Sequence, residues 1–116
     1  MKMLHVTIQT DRFEEEIEFY EKVVGLTIQR DLRPAKDLVF LGNGEEGETC
    51  VEIVRTLGAS NAGNPNLSIG FKTENVFAKH VELEAAGYDI TPMICPMPEV
   101  RFFFVKDPAG VSVQFI

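Results

Sequence analysis

Long apolar runs are missing from this 116-residue sequence. No stretch approaches the roughly 20 residues that a membrane-spanning helix needs. The opening segment, MKMLHVTIQTDR, carries one lysine and no apolar core of signal-peptide length, so the expected location is the cytoplasm. Basic side chains are scarce as well, with 11 Lys plus Arg against 18 Asp plus Glu and a formal charge of -7. A field of that sign repels phosphate backbones and anionic lipid surfaces, which sets nucleic acid and membrane partners aside. Only two cysteines occur, Cys50 and Cys95, in separate apolar surroundings and without CxxC spacing. A disulfide framework and a thiolate metal site are both disfavoured, and two buried free thiols are expected.

What is present suffices for folding. The composition is 45% hydrophobic and 25% charged, ordinary for a globular chain, and the length fits a single domain spanning 1–116. LHVTIQT alternates apolar Leu4, Val6 and Ile8 with polar His5, Thr7 and Gln9, the period of a strand with two chemically different faces. Phe13, Ile17, Tyr20 and Val24 then recur at helical spacing, with Asp11 placed to cap, Glu14 three residues on and Gly25 to stop. The acids at 14–16, Glu18 and Glu21 form the expected solvated face of that helix. Three extended runs follow, LTIQRDL, DLVFL and CVEIVRT, each closed by Pro, Gly or polar turn residues. The plan then repeats, with LSIGFKT as strand, a helix from about 75 to 86 stopped by Gly87, YDIT as strand, a proline-punctuated ICPMP, then VRFFFV, a KDPAG turn and VSVQFI.

The repeat is checkable by position. Leu4, Val6, Ile8 and Thr10 match Leu67, Ile69, Phe71 and Thr73, each 63 apart, while Gly25 matches Gly87 and VEIV at 51–54 matches VQFI at 113–116, at 62. One single-residue gap therefore aligns two βαβββ modules. Their expected bounds are about 1–57 and 67–116, with a linker at about 58–66. His5 then corresponds to Ser68 and Glu52 to Gln114, and each of the four points away from the apolar face of its strand. A pseudo-twofold axis would bring them together. Glu52 stands on a central strand, where a carboxylate needs a cation, a proton or several donors nearby.

At these residues the chain resembles the vicinal-oxygen-chelate superfamily of glyoxalases, bleomycin-resistance proteins and ring-cleaving dioxygenases. HVTIQTDRFEEEIEFYEKVVGLTIQRD is similar to its opening βα unit, and FFFVKDPAGVSVQFI to its closing hairpin with a DPxG turn. The resemblance implies an α+β fold of two tandem βαβββ modules, with curved mixed sheets around a cup and helices on the outer face. It also implies a homodimer whose cups lie between subunits. In the glyoxalase branch it implies a divalent metal, zinc, nickel, manganese or iron, held at four cup positions by His, Glu, His and Glu. His5 and Glu52 match that set, whereas Ser68 and Gln114 replace the second His and Glu. Even with an amide oxygen from Gln114, His5 and Glu52 are two good ligands where catalytic centres keep three. His80, the other histidine, falls in the second helix and is expected at the surface.

The favoured expectation is therefore a binding protein without a metal cofactor. It would hold a small organic molecule through His5, Glu52, Ser68 and Gln114, with Arg101 and Phe103 as further contacts. The alternative is a glyoxalase-like or epimerase-like lyase or isomerase that uses His5, Glu52 and Gln114 as metal ligands and Glu52 as catalytic base. A third reading leaves the four residues as the wet face of an antiparallel sheet.

Overall fold

The computed structural model describes residues 1–116, and the chain divides into two units, Met1–Asn61 and Ala62–Ile116. In the first unit the alternation of LHVTIQT becomes strand β1 (His5–Thr10), and the helical spacing becomes α1 (Phe13–Phe19), continued by a π-helical turn over Tyr20–Val24. Strands β2 (Thr27–Asp31), β3 (Leu38–Gly42) and β4 (Cys50–Arg55) follow. The sheet order is β1-β4-β3-β2, with β1 parallel to β4 and the other pairs antiparallel.

Register explains the two faces. Ile8 pairs with Ile53, Val39 with Ile53, and Leu41 with Val51. These side chains are buried together with Phe13, Ile17, Phe19, Tyr20 and Val23 of the helix. His5, Thr7, Phe40 and Glu52 take the opposite parity and stay on the face the helix does not cover. The π-helical turn that continues α1 stops because Gly25 adopts φ +87°, a conformation that costs a side-chain-bearing residue, and Leu26 N–H closes the turn onto the Tyr20 carbonyl at 2.9 Å.

Two expectations for this helix are corrected. The cap position is Arg12, which makes no side-chain capping bond, and the Thr10 hydroxyl rather than Asp11 accepts a backbone N–H there, from Arg12 at 3.0 Å. The acidic run is not wholly solvated. Glu16 lies on the inward side and is fully buried, because positions 13, 16, 17 and 20 share one helical stripe. Glu14 pairs with Arg55 of β4, which also binds Asp37.

The second unit repeats the order with β5 (Ser68–Phe71), α2 (Val76–Ala85), β6 (Ile94–Met97), β7 (Val100–Lys106) and β8 (Ser112–Phe115), arranged β5-β8-β7-β6. Asn75 caps α2, its side chain accepting from Ala78 N–H at 3.0 Å. The expected strand YDIT shrinks to a single bridge, Ile90 to Val105. Pro92 has no N–H to continue that ladder, so pairing resumes only at β6, an edge strand that tolerates Pro96. Phe103 and Val105 pair with Phe115 and Val113, and all four are buried with Leu83 of α2. No helix is long and apolar enough to cross a membrane.

Candidate functional site

In the first module, parallel pairing sets Thr7 beside Glu52, and antiparallel pairing sets Phe40 on its other side. The Thr7 hydroxyl donates to Glu52 Oε1 at 2.5 Å. His5 Nε2 lies 3.5 Å from the same oxygen, an ion-pair distance when the ring is protonated and long for a neutral hydrogen bond. The His5 ring also meets Phe40 edge-on, with centroids 5.6 Å apart. Glu52 is 13% exposed and His5 38%, so the carboxylate is sheltered yet reachable. The partner that a carboxylate on a central strand requires is therefore present.

The second module places Ser68 and Gln114 on adjacent strands, with Ser68 in register with Ser112 and Gly70 with Gln114. Phe104 lies opposite Gln114, as Phe40 lies opposite Glu52. Gly70 stands where the first module has Thr7. A Cβ added there would meet Gln114 Oε1 at 2.9 Å, so the bare backbone is what lets the amide lie over the strand. One module thus presents a carboxylate anchored by a hydroxyl, and the other a neutral amide over glycine.

Other expected site residues fall elsewhere. Phe103 is fully buried against Phe115 and the His80 ring, on the helix-covered face, and the aromatic residue sharing the face of Gln114 is Phe104. Alternation along β7 puts Arg101 at the same parity as Phe103, and its guanidinium donates to the carbonyls of Met97, Pro98 and Val100, tying the β6–β7 turn. His80 is half-buried rather than at the surface; its Nε2 is 2.9 Å from the Thr91 carbonyl and its ring meets Phe103 at 4.8 Å. Cys95 is exposed, contrary to expectation. Cys50 is half-buried, and that burial pushes its thiol pKa up.

The donor set can be compared with a metal centre. Two ligands about 2.1 Å from one tetrahedral ion stand roughly 3.4 Å apart, and the 3.5 Å between His5 Nε2 and Glu52 Oε1 suits such a pair. No group of three or more His, Cys, Asp or Glu side chains is gathered. The residues present therefore fit half of a metal site and not a complete one. What the first module's uncovered face does offer is a sheltered acceptor, a hydroxyl, an imidazole and flanking aromatic surface.

Residues 2–115 match the family model described as Glyoxalase/Bleomycin resistance protein/Dioxygenase superfamily. A protein of Vibrio cholerae serotype O1 named "Probable lactoylglutathione lyase" is 28% identical over 123 residues, covering 99% of this chain and 89% of that protein. The trypanothione-dependent glyoxalase I of Leishmania major superposes with a TM-score of 0.75 at 25% identity, covering 100% of this chain and 86% of that one. TnmS3, an antibiotic-binding protein from Streptomyces sp. CB03234, superposes with a TM-score of 0.74 at 17% identity, covering 99% and 93%, a likeness of fold.

Proposed function

Because the chain belongs to the glyoxalase, bleomycin resistance protein and dioxygenase superfamily, we propose that it is a cytoplasmic, homodimeric small-molecule-binding protein of that type with a degenerate metal site. His5, Glu52, Ser68 and Gln114 contact the ligand. The observation that carries this reading is the contrast between the two modules: a reachable carboxylate anchored by Thr7 in one, and in the other serine and glutamine, which donate and accept hydrogen bonds without competing for a metal.

A metal-dependent lyase or isomerase built on His5 and Glu52 is the second reading. It is favoured by the name of the Vibrio cholerae relative and by the spacing of that pair. Elemental analysis of untagged protein separates the two. The binding reading expects substoichiometric zinc, nickel, manganese and iron, and a melting temperature that rises with a screened organic ligand but not in a Glu52→Ala variant. Saturation at 100 times Kd corresponds to about 2.7 kcal/mol. Stoichiometric metal that disappears in Glu52→Ala would overturn it in favour of the lyase. If no metal is present and no ligand shifts melting, the polar faces are ordinary sheet surface.

A further inference from the structure

A cavity of about 400 Å³ opens within the second module, inside the range usual for small-molecule sites. Lys106 and Phe104 of β7 and Ser112 of β8 line it, with Ser68 of β5. Register puts Lys106 directly opposite Ser112, and its Nζ donates to the Ser112 hydroxyl at 2.8 Å. That ammonium has three donors, and this bond uses one. Acids outnumber bases 18 to 11 in the chain, yet the half-buried Lys106 is engaged by a neutral hydroxyl rather than by a carboxylate.

An ammonium kept without a counter-ion in a partly enclosed space attracts an anion more strongly than one in bulk water. Asp89 lines the same cavity. Its backbone carbonyl accepts from the Lys106 N–H at 3.1 Å, and its side chain is exposed to solvent, where its charge is screened. Ile90 and Phe104 add apolar wall. A single ammonium flanked by serine hydroxyls, with no arginine in the lining, matches one negative charge better than a phosphate dianion. We propose that this cavity binds the carboxylate of a small organic acid, with Lys106 selecting for the charge. The inference rests on the binding role proposed above and narrows its ligand class.

The test uses phenylacetate and its neutral isostere phenylacetamide, titrated into the full ¹⁵N-labelled chain and followed at the amides of Ser68, Thr91, Lys106 and Ser112. Phenylacetate should saturate shifts at these positions with about tenfold or greater preference over the amide, as a charge-assisted hydrogen bond supplies. Lys106→Met should abolish the preference, and Lys106→Arg should restore it, which separates loss of charge from loss of fold. Equal binding of the two probes, a preference that survives Lys106→Met, or no saturable shift at these positions would each overturn the assignment. The broader reading fails differently, through absence of any Glu52-dependent ligand in the melting screen.

Discussion

Glu52 sits at the centre of the first module's uncovered face, yet its hydroxyl and imidazole partners lie on a surface open to solvent. Exposed polar pairs contribute little to stability. Glu52→Gln should therefore shift urea-derived stability by no more than about 1 kcal/mol while abolishing ligand-dependent stabilisation, whereas a loss above about 2 kcal/mol would assign the residue a structural role. Asp31 makes a different prediction. Its hydrogen bond from Arg33 holds its pKa down from 3.8 to about 2. A depressed carboxylate stabilises the fold above its unfolded value and loses that effect as pH falls through the folded one. Asp31→Asn should accordingly flatten the stability curve between pH 3.8 and about 2, as acid denaturation would register. The parity of His5, Glu52, Ser68 and Gln114 was legible because polar and apolar residues alternate around each. Phe102, Phe103 and Phe104 offer no alternation, so the choice between Phe103 and Phe104 rested on pairing that only coordinates supply. Phe103→Ala should cost about 3–5 kcal/mol and Phe104→Ala less than about 2 kcal/mol, measured by chemical denaturation.

The two helices differ in how their first turns are closed. Asn75 caps α2 through its own side chain, while α1 begins at a residue without a capping bond. Asn75→Ala should lower stability by about 1 kcal/mol and Asp11→Ala by less than about 0.5 kcal/mol. Equal losses would show that Asp11 caps after all. Gly25→Ala should cost about 1 kcal/mol, set by its positive φ alone, since an added Cβ meets nothing within 4 Å. Helix periods, both glycine stops and seven of the eight strands could be read from residue order. The exceptions have local causes: Pro92 cuts the ladder that YDIT begins, and Glu16 turns inward because it shares the stripe of Phe13, Ile17 and Tyr20, a placement that its charge and its acidic neighbours argue against.

At the scale of the whole chain, both units repeat one strand order, with the parallel pair formed by the first and last strand of each. The position matching anticipates the repeat of elements, because offsets of 63 and 62 survive in the observed strands and helices, while the strand order and the parallel pair come from the coordinates. The proposed homodimer predicts a sedimentation-equilibrium mass of twice 13.0 kDa, and a 13.0 kDa species throughout the concentration series would contradict it. The amide of Gln114 lying across Gly70 also has an evolutionary consequence. Glutamine and glutamate codons differ by a single base, so one transversion would give the second module a carboxylate opposite Phe104, mirroring Glu52 opposite Phe40. The bare strand beneath already has room for it, which leaves this lineage one mutational step from a more acidic chemistry.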